Sequence, residues 1–283
     1  MKSKLLVAAG RTLDLRRPRV MGVLNITPDS FSDGGQLFAA DGAALDAVVA
    51  RAEAMIAAGA DILDIGGESS RPGAEPVSLD EELRRVMPVV ERLAELDTMI
   101  SVDTYKPQVA ARVMAVGCHL INDIGGGQDP QMLEVLAQSS GAYCIMHMQG
   151  RPRDMQQNPV YQNVVQEVGE FLAVQVERAQ AQGIDRDRLL IDPGFGFGKT
   201  LEHNLQLLAE LGQLRALDIP LLVGMSRKRM LGTVTGKPVE QRLAAGVAAA
   251  TVALMQGAAV VRSHDVAATA DAVAVISALD MRQ

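Results

Sequence analysis

The chain has 283 residues, 48% of them hydrophobic and 22% charged, so it can bury a large core and is neither disordered nor of low complexity. Its 27 Lys and Arg against 34 Asp and Glu leave a formal charge of −7, which removes the broad basic field that nucleic-acid binding needs and makes any phosphate chemistry local. No apolar run is long enough for a membrane span, the apolar start at 5–9 is too short for an export signal, and the two cysteines, Cys118 and Cys144, read as buried thiols of a cytoplasmic protein.

In chain order, residues 5–17 carry an Ala-Gly turn between short apolar runs and predict a hairpin that plugs the end of a larger body. From Val20 onward, short apolar runs alternate with segments of helical period. Strands are expected at Val20–Ile26, Ile62–Ile65, Met99–Val102, His119–Asn122, Tyr143–Met146, Leu189–Ile191, Leu221–Gly224 and Ala259–Val261. All are short and without polar alternation, as strands buried on both faces are. Helices are expected between them, among them 43–58, 79–96, 160–182, 201–211 and 241–256. Ser78 and Glu81 suggest a capping box, and Gly59, Gly183 and Gly257 stand where helices end. Eight βα units remain after a hairpin extension over 1–18. At roughly 33 residues per unit they match a single-domain (β/α)8 TIM barrel over 19–283 better than a doubly wound sheet.

Each strand ends in polar residues: Asn25, Asp64, Asp103, Asn122 with Asp123, His147, Asp192, Ser226 with Lys228, and Arg262 with His264. Any one of these is more simply a turn former or helix cap. Their recurrence at every strand end points to one mouth, where barrel enzymes place their chemistry. Asp103, Asn122 and Asp192 suit the N–H edge of a nitrogen heterocycle, and Arg71, Lys228, Arg262 and His264 suit an attached anion. The run from Asp192 to Thr200 is not a phosphate-binding P-loop, because Pro193 stands where its first Gly belongs. Gly125 to Pro130 likewise lacks the third Gly of a dinucleotide fingerprint. Both read as tight loops, with Phe197 able to pack on a ring. The small, polar loops 27–35 and 66–73 read as lids over a second substrate. His119 and His147 read as satisfied core or rim residues.

Taken in order, Asn25-Ile-Thr-Pro-Asp-Ser-Phe-Ser-Asp-Gly34, Asp64-Ile-Gly-Gly-Glu-Ser-Ser-Arg-Pro-Gly73, Ser101-Val-Asp-Thr104, Asn122-Asp-Ile124, Met146-His-Met148, Asp192-Pro-Gly-Phe-Gly-Phe-Gly-Lys199, Ser226-Arg-Lys228 and Arg262-Ser-His264 resemble the dihydropteroate synthases, over nearly the whole chain. The resemblance implies a (β/α)8 barrel that condenses 6-hydroxymethyl-7,8-dihydropterin diphosphate with 4-aminobenzoate in folate biosynthesis, a reaction that sulfonamides inhibit. It implies that Asp103, Asn122, Ile124, Met146, Asp192 and Lys228 hold the pterin, and that Asn25, Arg71, Arg262 and His264 hold the diphosphate, with Mg²⁺ on Asn25. It places 4-aminobenzoate among Ser70, Arg71, Pro72, Phe197, Ser226 and Lys228, with Phe31 closing over it and Asp33 and Asp103 favouring a cationic pterin. It also implies a homodimer. Ser70 stands where the family commonly has Thr, which implies altered aminobenzoate or sulfonamide affinity rather than lost activity. A pterin-binding methyltransferase should lack the Ser-Phe-Ser-Asp-Gly and Ser-Arg-Pro-Gly loops. A silent paralogue should have lost Arg71, Lys228 or the Arg262 and His264 pair.

Overall fold

The computed structural model describes residues 5–26, 42–69 and 73–280. Eight parallel strands form a closed barrel: β3 (Arg19–Asn25), β4 (Ile62–Gly66), β5 (Met99–Asp103), β6 (Leu120–Asp123), β7 (Ala142–Met146), β8 (Leu189–Asp192), β9 (Leu221–Gly224) and β10 (Ala258–Ser263), with β10 pairing back onto β3. Helices α1 (Gly42–Ala57), α2 (Leu79–Leu93), α3 (Pro107–Ala115), α4 (Pro130–Gln138), α5 (Val164–Ala181), α6 (Leu201–Ala209), α7 (Arg229–Thr235), α8 (Leu243–Met255) and α9 (Val266–Asp280) fill the connections. No helix among the described residues is long and apolar enough to cross a membrane.

The expected strands agree with these to within two residues, and the helix ends differ for local reasons. The helix expected from 160 starts at Val164, because the Asn163 side chain accepts the N–H groups of Val165 and Gln166 and stops the helix there. The helix expected to reach 96 stops at Leu93. The Ser78 capping box is only half made: Ser78 Oγ accepts the Glu81 N–H, but the Glu81 carboxylate turns to Arg84 and Arg85 instead of back to the cap. A reciprocal box occurs at α6, between Thr200 and His203. Gly59, Gly183 and Gly257 have φ of +101°, +93° and +97°, the left-handed geometry of helix ends.

Strand alternation sorts the core into two layers. Val20, Leu24, Leu63, Ile65, Ile100, Val102, Ile121, Tyr143, Ile145, Leu189, Ile191 and Val223 pack outward against the helices. Their neighbours Met21, Ile62, Met99, Leu120, Ala142, Cys144, Leu190, Leu222 and Val260 pack inward. The hairpin of β1 (Leu5–Ala8) and β2 (Arg11–Asp14) supplies Leu6, Ala8 and Leu15 to this inner layer, so it plugs the lower end of the barrel as expected. Backbone hydrogen bonding from the Ala9 N–H to the Ser140 carbonyl holds the plug in place. With the lower half closed by apolar side chains, polar chemistry is confined to the upper end.

Candidate active site

Continuing the inward alternation upward gives Asn25, Asp64, Ser101, Asp103, Asn122, Met146, Asp192 and Arg262, which therefore share the barrel mouth. The same register excludes Asp123. It points outward, where its carboxylate accepts the Tyr143 hydroxyl (2.6 Å) and the N–H groups of Gly125 (2.7 Å) and Gly127 (2.9 Å), holding that glycine loop in shape. His147 also faces away from the mouth, its ring edge-on to Phe171 at 5.0 Å. His119 lies at the other end of its strand and accepts the Ile100 N–H through Nδ1. Both histidines are thus packed and partnered, as lone core histidines usually are.

The centre of the mouth is organised by Asp64, which is fully buried. Its Oδ1 accepts the Ser101 hydroxyl (2.6 Å), and its Oδ2 accepts from Arg262 Nε (2.6 Å) and Asn122 Nδ2 (3.1 Å). Arg262 Nη2 reaches Asp103 at 2.9 Å, so two carboxylates share one guanidinium. Burial pushes the Asp103 carboxyl up to about 7, with Arg262 opposing and the nearby Asp64 adding to the rise. Those same two carboxylates hold Arg262 protonated against its own burial. Because Asp64 takes the amide N–H of Asn122, the Asn122 oxygen is left as a buried acceptor without a protein partner.

Asp192 is buried across the mouth, with Oδ1 accepting the Gly194 N–H at 2.7 Å. Burial raises its pKa, and Lys228 and Lys199 oppose that rise. Lys228 donates to the Phe195 carbonyl and lies 4.5 Å above the Phe197 ring. Burial pulls its pKa down to about 8, against the pull of Asp192. Ser226 and His264 are paired through Oγ and Nδ1 at 3.2 Å. Ile124 and Met146 are buried, and Ile124 shares a cleft with Asp103, Glu68, Ser69, Tyr105 and Pro152. Asn25 ends β3, half-buried, its Oδ1 3.3 Å from where a Gly66 Cβ would sit; the glycine keeps space beside that oxygen. Phe31, Asp33, Ser70, Arg71 and Pro72 lie outside the described residues.

Two residues without an assigned role in the sequence reading prove central: Asp64, and Ser101 beneath it. Asp64 stands among the polar strand ends of the sequence, but the convergence of Ser101, Asn122 and Arg262 on it carries no local signal.

The mouth can therefore hold a flat, N–H-bearing ring against buried acceptors, with cations beside it for an anion. The family model described as pterin binding enzyme matches residues 21–264. The dihydropteroate synthase of Escherichia coli K12 is 49% identical over 274 residues, covering 96% of this chain and 95% of that protein. The solved dihydropteroate synthase of Yersinia pestis, in complex with a sulfonamide drug, superposes with a TM-score of 0.91 at 48% identity, covering 99% of this chain and 100% of that one. That of Burkholderia cenocepacia, in complex with 7,8-dihydropteroate, superposes at 0.88 with 46% identity, covering 98% and 97%. The chain belongs to the pterin-binding enzyme family, among its dihydropteroate synthases.

Proposed function

We propose that the barrel mouth binds 6-hydroxymethyl-7,8-dihydropterin diphosphate and joins its methylene carbon to the amine of 4-aminobenzoate, releasing diphosphate. The carbon–oxygen bond to the leaving group breaks, a carbon–nitrogen bond forms, and the amine gives up one proton. The observation that carries this reading is the unpaired, buried Asn122 oxygen, whose strand lies between those that bring the partly buried Asp103 and the buried Asp192 to the mouth. A buried acceptor costs about 1–3 kcal/mol when left unmade, so the site is completed by a ligand that brings N–H groups. A pterin's 2-amino group and ring N–H supply them, with Ile124 and Met146 beside the ring and Lys228 toward its acceptor edge.

An aryl amine is a weak nucleophile, so the site works chiefly by positioning and by stabilising charge as diphosphate departs. Arg262 and His264 face the leaving group, Asp103 favours positive charge on the pterin, and Phe197, Ser226 and Lys228 hold 4-aminobenzoate. Arg262 alone is not enough for a diphosphate, because Asp64 and Asp103 already offset its charge. No cluster of three or more His, Cys, Asp or Glu among the described residues could cage a metal. The available oxygen of Asn25 fits Mg²⁺, which accepts one or two protein oxygens and takes the rest from water and phosphate. When bound there, Mg²⁺ would spread the leaving charge.

The chain is further proposed to work in the cytoplasm, which its two free, buried thiols suit, and as a homodimer. Exposed Leu243, Val252 and Met255 on α8 and Val275 and Leu279 on α9 are the faces offered for the dimer, and solution scattering tests it. The central test is diphosphate release from the pterin substrate with and without 4-aminobenzoate. Release coupled to dihydropteroate formation is expected, and release without a joined product would overturn the reading.

A further inference from the structure

The loop that follows Asp192 folds backbone against backbone. Gly194 and Gly198 have φ of +68° and +60°, and a Cβ on either would lie 1.9 Å from the His147 carbonyl oxygen or 2.2 Å from that of Gln149. Such a turn directs successive carbonyls in different directions, and each needs a donor. The Phe195 carbonyl accepts from Lys228, that of Gly196 from Gln156 Nε2 (2.5 Å), and that of Gly198 from the Tyr161 hydroxyl (2.9 Å). The Gly194 carbonyl, which also accepts the Phe197 N–H (3.1 Å), and the Phe197 carbonyl are both taken by Lys199 Nζ, at 3.0 Å and 3.1 Å, and its third donor goes to His147 Nδ1 at 2.9 Å.

Lys199 is 3% exposed, and its ammonium is matched one for one by three acceptors. None of those acceptors is a carboxylate. Lone buried ammonium groups are costly, and a fold seldom keeps one for packing alone. The two loop carbonyls it holds bracket the segment from Asp192, whose carboxylate accepts the Gly194 N–H, to Phe197, whose ring lies under Lys228. From α6, the Asn204 side chain completes the frame, accepting the Gly196 N–H and donating to the Lys199 carbonyl.

We infer that Lys199 is a positioning residue for the reaction: from behind the mouth, it sets the Asp192–Phe197 segment at the spacing that lets one loop hold the pterin and 4-aminobenzoate together. The inference rests on the proposed roles of Asp192 and Phe197. The neutral His147 ring is the matching acceptor, because burial and the neighbouring ammonium push its pKa down to about 3. Lys199 does not touch either substrate; it acts through the loop. Misplacing a binding group by about 1 Å can cost on the order of 100-fold, so removal of this strut should be felt in both substrate sites.

The test uses the full chain with Lys199→Met, Lys199→Gln, His147→Leu and, as a control, Asp192→Asn. Binding of the pterin diphosphate is measured by calorimetry, KM for 4-aminobenzoate by turnover, and Tm by unfolding. Lys199→Met should weaken both substrates by about tenfold or more, and Lys199→Gln, which keeps two N–H donors, should fall between it and the parent. His147→Leu, which keeps the ammonium and removes one acceptor, should move both affinities in the same direction by less, and decides the matter if Lys199→Met does not fold. A lower Tm with both affinities unchanged would overturn the inference. Loss of pterin binding in Asp192→Asn together with normal binding in Lys199→Met would overturn it while leaving the site reading intact. Normal pterin binding in Asp192→Asn would overturn the site reading, and the inference with it.

Discussion

Asp64→Asn separates the charge of the central carboxylate from its shape. Asp64 accepts from Ser101, Asn122 and Arg262 and is 0% exposed. In the variant, the amide oxygen can still face Arg262 and Asn122, and the Ser101 hydroxyl can turn to accept from the new N–H. The hydrogen bonds largely survive; what goes is the anion beside a guanidinium that is itself four-fifths buried. Breaking a buried ion pair costs about 3–5 kcal/mol, and Asp103 remains to pair with Arg262, which argues for about 3 kcal/mol. At roughly 2–4 °C per kcal/mol for domains of this size or slightly smaller, Tm should fall by about 6–12 °C.

Catalysis should fall as well. With Asp64 uncharged, Arg262 leans on Asp103 alone, and the carboxylate proposed to favour a cationic pterin is drawn further into that pair. A loss of about 10–100-fold in kcat/KM, or about 1.4–2.7 kcal/mol of transition-state stabilisation, is expected. Thermal unfolding and a coupled diphosphate-release assay read the two effects. A double-mutant cycle with Arg262→Gln should give a coupling of about 1–3 kcal/mol, because the residues touch. If Asp64→Asn kept its Tm within about 2 °C and its kcat/KM within about twofold, the carboxylate would be a bystander and this account of the mouth would be wrong.

Because Asp103 must be ionised to accept and its pKa is raised to about 7, kcat/KM should climb as pH rises through that value. Lys228 and the loop-holding Lys199 must both be protonated, and burial lowers their pKa values to about 8 and about 7, so activity should fall again across that range, and Lys228→Met should remove only the upper part of that alkaline limb in a pH–rate profile. Leu6→Ala opens a cavity beneath the barrel where Leu6 is 0% exposed, and should cost about 2–5 kcal/mol by denaturant unfolding with kcat/KM unchanged; a large activity loss would show that the plug shapes the mouth. Chelation with EDTA should suppress turnover and added Mg²⁺ restore it, whereas full activity in EDTA would remove the metal from the proposal.

The barrel was legible because its units are regular. Each buried strand is a short apolar run, each helix carries its own period, and the glycines after α1, α5 and α8 mark their ends. The helices not singled out, α3, α4, α7 and α9, are of two kinds. Three are short, at nine, nine and seven residues, and α9 is so uniformly apolar and alanine-rich that no polar face outlines it. The apolar period runs back to 160 while α5 begins at Val164, because Asn163 caps it and 149–161 are engaged elsewhere: Gln149 bonds Val160 at both its N–H and its carbonyl, and Gln156 and Tyr161 bond the glycine loop. These are tertiary partners that no local pattern reports.

Within the site, legibility followed alternation. In a strand buried on both faces, apolar residues carry no facing information, but polar ones do: once Met21, Ile62, Met99 and Leu120 are inward, so are Asn25, Asp64, Asp103 and Asn122, and Asp123 cannot be. What alternation cannot supply is which inward groups meet. Asp64 gathers donors 37, 58 and 198 residues away, an arrangement fixed only when β10 closes onto β3. The net charge of −7 fits the same picture. Three of the carboxylates counted in it, Asp64, Asp103 and Asp192, sit at the mouth, where Asp64 and Asp103 pair with Arg262 and Asp192 favours the charged form of Lys228. The acidity of the chain is thus partly internal, and it keeps the cations of the site charged and aimed.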